Sequence, residues 1–246
     1  MNVIKLGGSL LDDPARRAEA LSAIAAQWNR GEEIVLVHGG GKHVDANLKR
    51  LGIQKRTYAG LRITDDETLD VVVATLAGSV NKMLVSELAA LGVLTAGISG
   101  CDASTLVAER HPAIDGVDLG HVGRVTGGDP MLLQAMVTSG ILPVVSSIAE
   151  GPNGALLNVN ADTAAAAIAI AVGAEELIFI TDVAGLLDAA GNVVAALGAS
   201  EAEALLSTEV VTGGMRPKLQ AALHALGSGV RRITIGEEGG TQLIAA

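Results

Sequence analysis

Val3-Ile4-Lys5-Leu6-Gly7-Gly8-Ser9 and Ile34-Val35-Leu36-Val37-His38-Gly39-Gly40-Gly41-Lys42 are two apolar strands that each run into consecutive glycines beside a lysine. A strand that ends in glycines lets backbone N–H groups converge on a ligand with no Cβ in the way, which suits phosphate oxygens. A helix that starts just after such a turn adds its positive dipole end. Neither turn has the spacing G-x-x-x-x-G-K-[ST] or G-x-G-x-x-G. The pair indicates a phosphate handler of another kind.

Outward from these turns, strands and helices alternate. Asn2 to Leu6 reads as a strand, and Asp13-Pro14 caps a helix to about Asn29 with proline at its first position. Glu33 to Val37 is the next strand and Gly41 to Leu51 the next helix. Gln54 to Ile63 is polar, a loop or small hairpin. Thr64-Asp65-Asp66-Glu67 forms a capping box that opens a helix to about Leu91, in which Leu69, Val72, Val73, Leu76, Val80, Leu84 and Leu88 keep a helical period.

Further strands are expected at Val93 to Ser99, Ile141 to Ser147, Glu176 to Thr181, Arg231 to Ile235 and Gln242 to Ala245, with antiparallel hairpins between Thr105 and Thr126. Helices are expected after Asp129-Pro130, over Asn160 to Val172, after a cap at Ser200-x-x-Glu203, and over Met215 to Gly227. The alternation argues for an α/β fold, a three-layer αβα sandwich around a central, mostly parallel sheet. Composition suggests an N-terminal lobe over 1–172 and a C-terminal lobe over 173–246.

The chain has 246 residues, 49% of them hydrophobic, and a formal net charge of -10. Such an acidic surface repels phosphodiester backbones, and the three aromatics Trp28, Tyr58 and Phe179 offer no base-stacking platform, so nucleic acid is excluded as a partner. Cys101 is the one cysteine, consistent with a reducing compartment. No stretch approaches a uniformly apolar membrane span, and a strand from Asn2 leaves no room for a signal peptide. A cytoplasmic protein without a membrane partner is expected. No His/Cys cluster has the spacing of a metal site.

Lys5 ends the first strand facing Gly7-Gly8, where its ammonium can reach a transferring phosphoryl group; the bland alternative is a surface lysine. Three consecutive glycines after an apolar strand cost chain entropy unless backbone must approach something. Asn158-Val159-Asn160-Ala161-Asp162-Thr163 precedes the Ala-rich helix, and Asn160 reads equally as its N-cap. Asp162, a carboxylate in a first helical turn at the carboxyl side of a parallel sheet, lies where α/β ligand crevices form. Thr181-Asp182-Val183-Ala184-Gly185-Leu186 ends another strand in a turn. Val210-Val211-Thr212-Gly213-Gly214-Met215-Arg216-Pro217-Lys218 is a glycine loop that brings a second lysine within reach of a bound phosphate.

Together KLGGS, HGGGK, GLRITD, LGHVG, NVNAD, ITDVAGLLD and TGGMRPK, in this order from Lys5 to Lys218, resemble the amino acid kinase family. Within it the chain looks most like members that phosphorylate the γ-carboxylate of N-acetyl-L-glutamate with ATP, a step of arginine biosynthesis. The resemblance implies that Lys5 and Lys218 stabilise charge on the phosphoryl group and that Asp162 holds both ammoniums. Gly40, Gly41, Arg62, Asn158 and Asn160 would meet the acyl amino acid, with Arg62 gripping its α-carboxylate. Gly7, Gly8, the run Asp182, Val183, Ala184, Gly185, Leu186, Leu187 and the loop Val210, Val211, Thr212 would border ATP, whose Mg2+ rides mainly on the phosphates.

It also implies a homodimer through the 64–91 helix, and, without the extra N-terminal helix of arginine-inhibited hexameric members, insensitivity to arginine. The sequence departs from the pattern at Cys101, where members often carry lysine, and over 236–241, where many insert a helix. Sister kinases of N-succinylglutamate or carrier-linked aminoadipate share the glutamate end, and a non-catalytic sensor shares the fold. The acceptor, a carboxylate with a pKa of about 4.3, is ionised at neutral pH, so no general base is needed.

Overall fold

The computed structural model describes residues 1–181, 183–187, 192–206, 211, 213–236 and 240–244, with Ser9 by its backbone alone. The chain opens with β1 (Asn2–Leu6), a one-turn helix α1 (Gly8–Asp12) and α2 (Pro14–Asn29). Asp13 caps α2 by accepting from the N–H groups of Ala15 and Arg16. Next come β2 (Ile34–His38), α3 (Gly41–Leu51) and a hairpin of β3 (Thr57–Tyr58) and β4 (Leu61–Arg62).

The long helix differs from its sequence reading in two ways. Its cap is Asp65, which accepts from Thr68 N at 3.0 Å, because the Thr64 hydroxyl donates to the Arg62 carbonyl instead. And it is segmented: α4 (Asp66–Val73), a π-turn at Ala74–Val80, then α5 (Asn81–Ala90). At 25 residues, Asp66–Ala90 is long and apolar enough to cross a membrane by length and composition, contrary to expectation. In the fold, however, Val72, Leu76, Val80, Leu84 and Leu88 are buried against the sheet and α3, so its apolar stripe is a core face.

A second, smaller sheet follows the edge strand β5 (Thr95–Ser99). It contains β6 (Val107–Arg110) and β7 (Gly123–Gly127), and after α6 (Met131–Thr138) and β8 (Leu142–Ser146) also β9 (Ile148–Glu150) and β10 (Leu156–Asn158). Sequence reading missed β9 and β10, three residues each. The chain closes with α7 (Ala161–Ala171), β11 (Glu176–Ile180), β12 (Ala196–Gly198), α8 (Ala199–Leu206), α9 (Met215–Gly227), β13 (Arg232–Ile235) and β14 (Thr241–Ile244). Ser200 lies inside α8 rather than capping it, and Glu201 reaches back to the Gly198 N–H at 2.9 Å.

The main sheet has the order β12-β14-β13-β11-β1-β2-β8-β5 and is parallel except where β14 meets β13. Alternation along β1 splits the core. Val3 faces one apolar cluster with α6, α7 and α9, while Ile4 and Leu6 face another with α2 and α5. This is the expected three-layer αβα sandwich. One sheet runs unbroken past Gly173, since β1 pairs with β2 on one side and with β11 on the other.

Candidate active site

Leu6 stands opposite His38 in the parallel β1–β2 pair, so both glycine turns leave the same edge of the sheet side by side. α7 points its N-terminus at them. Asn160 is that helix's N-cap, accepting from Asp162 N at 2.8 Å and Thr163 N at 3.2 Å. The cap fixes Asp162 in the first turn, where Lys5 Nζ and Lys218 Nζ meet the same carboxylate oxygen, Oδ1, at 2.7 and 3.0 Å.

All three groups are buried. Burial pushes the Asp162 carboxyl up, but the two ammoniums outweigh it and hold it below the ordinary carboxylate value. Burial also pushes the Lys218 ammonium down, aided by Lys5 and opposed by Asp162, and the net direction is down. Lys218 further lies 5.1 Å from the centroid of the Phe179 ring, a favourable cation–π position. Two positive charges against one negative leave a net positive, water-poor patch at the sheet edge. That is equipment for charge developing on a phosphoryl group.

A cavity of about 250 Å³ opens beside this patch, lined by Lys5, Asp162, both glycine turns, Arg62, Asn158 and Asn160. Arg62 is held on its wall. One nitrogen, Nη2, contacts Asp45 Oδ1 at 2.5 Å and donates to the Gly41 carbonyl at 3.2 Å, while Nη1 is buried with no hydrogen-bond partner. A buried cationic donor left open costs free energy unless a ligand oxygen completes it. Burial pushes the Asp45 carboxyl up, and hydrogen bonds from Lys55 and Arg62 bring it below the ordinary value.

The segment Leu119 to Val122 stitches this wall together through main chain. Leu119 O accepts from Thr64 N, His121 N donates to Thr64 O, and His121 O accepts from Asn158 N at 2.8 Å. The Asn158 amide also donates to the Thr64 hydroxyl at 3.1 Å. The approach is so close that a Cβ on Gly120 would stand 2.3 Å from the Thr64 carbonyl oxygen.

Of the residues singled out in the sequence, Lys5, Gly8, Gly40, Gly41, Arg62, Asn158, Asn160 and Asp162 line one cavity, and Lys218 reaches it through Asp162. Gly7 is different: its N–H is donated to Ile180 O at 2.8 Å, so it joins β1 to β11 instead of facing the cavity. Val183, Ala184, Gly185, Leu186 and Leu187 follow β11, with Ala184 and Gly185 close against Gly236 and with Val183 and Leu187 exposed. Leu186 N donates to the Thr241 hydroxyl at 2.8 Å, and Gly185 leaves no room for a Cβ against the same hydroxyl. Val211 is buried in the core. Asp182, Val210 and Thr212 lie outside the described residues.

Lys42, the lysine next to the second turn, is turned away toward Asp12 at 3.2 Å and is exposed. One residue, Asp45, escaped sequence reading, as did the side-chain role of His38. Asp45 stands one helical turn beyond Gly41, a spacing that could have flagged it. His38 is fully buried and bonded to Gly39 O and Asn81; only its place in the HGGG string marked it.

A model of the amino acid kinase family matches residues 1–237. A protein named acetylglutamate kinase from Solibacter usitatus (strain Ellin6076) is 42% identical, with 99% of each chain covered. Another of that name from Methanopyrus kandleri is 43% identical, covering 96% of this chain and 94% of its own. Among solved structures, a Streptococcus mutans UA159 protein superposes with a TM-score of 0.88 at 28% identity, covering 99% and 98%. N-acetylglutamate synthase from Neisseria gonorrhoeae, complexed with coenzyme A and N-acetyl-glutamate, has a TM-score of 0.86 at 23% identity over 99% of this chain and 59% of its own, a likeness of fold alone.

Proposed function

The chain belongs to the amino acid kinase family, and on that premise we propose that it transfers the γ-phosphoryl group of ATP to the γ-carboxylate of N-acetyl-L-glutamate. The products are ADP and N-acetyl-L-glutamyl 5-phosphate, in the second step of arginine biosynthesis. One observation carries the reading: a single cavity is lined both by Lys5 and the Asp162 that holds Lys218, and by Arg62, whose buried Nη1 has no hydrogen-bond partner. An acidic amino acid has one carboxylate for Arg62 and another for the lysines.

In this reading Arg62 binds the α-carboxylate, and Gly40, Gly41, Asn158 and Asn160 seat the acyl amide and side chain. The γ-carboxylate oxygen attacks the γ-phosphorus while the bond to the β,γ-bridging oxygen breaks and ADP leaves. Lys5 and Lys218 follow the charge spreading over the phosphoryl oxygens, and the Gly8 N–H holds a phosphate oxygen. Asp162 accepts no proton; it positions two ammoniums that would otherwise repel. Mg2+ carried on the ATP phosphates supplies further charge neutralisation. The donor set suits a metal brought by the nucleotide, since the Asp162 oxygen nearest the cavity's lysines is already shared between them.

We assign 1–172 to acceptor binding and 173–246 to ATP, with Val183–Leu187 and Val211 on the nucleotide side. We also place a homodimer contact on the 64–91 helix and the cytoplasm as its location. Exposed Leu91 and Leu94, beside edge strand β5, support that contact, and light scattering tests it. The activity is tested by ADP release with hydroxylamine trapping of the acyl phosphate across N-acetyl-, N-succinyl- and carrier-linked acidic amino acids. Acetylglutamate turnover supports the proposal; preference for another acyl group reassigns the substrate; silence on all of them leaves a binding protein.

A further inference from the structure

We propose that His38 is a positioning residue that turns the Gly39–Gly40 peptide so that the Gly40 N–H faces the acceptor cavity. The inference rests on the kinase reading and deepens it. His38 ends β2 with no exposed surface. Its Nδ1 lies 2.8 Å from the Gly39 carbonyl oxygen and its Nε2 lies 3.1 Å from Asn81 Nδ2.

The tautomer follows from Asn81. The Asn81 amide nitrogen also donates to Val144 O at 2.9 Å, and its oxygen accepts from Lys82 Nζ at 3.0 Å, so the nitrogen end faces the imidazole. Nε2 is therefore the acceptor, and the proton sits on Nδ1, donated to Gly39 O. Burial drives the imidazole pKa down to about 4, so the ring is neutral at working pH and carries that one proton.

Among the described residues no peptide bond is cis, and across a trans peptide the carbonyl and the N–H point in opposite directions. Drawing the Gly39 carbonyl back onto a fully buried ring turns the Gly40 N–H outward. Gly40 lines the cavity, and among the described residues its N–H donates to nothing.

The helix behind enforces the same arrangement. Gly40 has φ +151, and a Cβ there would stand 2.9 Å from Leu76 Cδ2. Leu76 belongs to the π-turn, and Asn81 is the first residue after it. The local widening of a π-turn re-aims the side chains that follow, and such turns recur at functional sites. Here it supplies both the surface under Gly40 and the amide that sets the ring.

Two variants divide the ring. In His38→Asn the amide nitrogen takes the place of Nδ1 and the Asn81 contact is lost. In His38→Gln the amide oxygen takes the place of Nε2 and the donor to Gly39 is lost. We expect H38Q to melt near the wild type with KM for ATP unchanged and kcat lowered about tenfold or more. We expect H38N to melt lower yet turn over close to the wild-type rate. Wild-type kcat in H38Q, or equal loss of kcat in both variants, overturns the inference; if H38N does not fold, H38Q alone decides. Wild-type enzyme assayed alongside separates the two levels. Silence there removes the kinase reading itself, whereas an active wild type with an equally active H38Q removes only the role of His38.

Discussion

Lys5 and Lys218 come from opposite ends of the chain and share one carboxylate oxygen, Asp162 Oδ1, at 2.7 and 3.0 Å. In water two ammoniums so close would separate. Here they are buried, and Asp162 is the counter-charge that keeps them together.

Asp162→Asn leaves two buried like charges without their partner. Breaking a buried ion pair on one side costs about 3–5 kcal/mol. Urea unfolding of D162N is expected to show that loss along with a collapse of kcat; an unchanged midpoint would mean the lysines do not depend on Asp162.

Lys5→Ala and Lys218→Ala each remove a group aimed at developing charge. Each is expected to lower kcat about 100- to 1000-fold, by analogy with loss of one oxyanion donor, with a smaller effect on ATP affinity measured by calorimetry. Equal losses in affinity and turnover would make the lysines ground-state binders.

The pH profile should be flat through neutrality, because the acceptor carboxylate is already ionised and Asp162 titrates below the ordinary 3.8. At the alkaline side kcat should fall as Lys218 loses its proton, beginning below its ordinary 10.5. K218R, whose guanidinium stays charged, should move that limb to higher pH whatever its absolute rate. For stability the sign is opposite at the acid end: the Asp162 contribution is complete above 3.8 and disappears as pH drops through its lower folded value.

Arg62→Lys keeps the charge but loses the planar fork that holds Gly41 O and Asp45 on the cavity wall. KM for acetylglutamate should rise about tenfold or more, with KM for ATP nearly unchanged. A rise in both would move Arg62 off the acceptor.

Gly40→Ala meets two obstacles, the positive φ and the side chain of Leu76. A loss of about 2 kcal/mol is expected. Adding Leu76→Ala should relieve the contact but not the backbone strain, so rescue measured by thermal unfolding should be partial. Full rescue would assign the whole cost to the clash.

Much of the fold is legible in sequence where local chemistry and tertiary packing agree. β1, α3 and α9 match their read boundaries, and Asn160 caps as a helix-start asparagine should. The misses occur where distant contacts take over. Thr64 reads as a cap, but its hydroxyl is occupied by the Arg62 carbonyl and the Asn158 amide, so Asp65 does the capping. The π-turn at Ala74–Val80 leaves no mark, since one widened turn barely shifts an apolar period. Among site residues, lysines and glycines announce themselves by type and spacing. His38 does not, because its partner Asn81 is far off in sequence and the strand around it is apolar.

The place of β1 in the sheet also bears on how the molecule comes off the ribosome. β1 becomes a central strand, flanked by β2, which follows it closely in sequence, and by β11, which is made much later. Its second edge stays bare until residues 176–180 have been synthesised. Such late, non-local pairing slows folding and exposes an apolar strand meanwhile. The arrangement that brings Lys5 to Lys218 therefore postpones completion of the core around β1 until β11 has emerged.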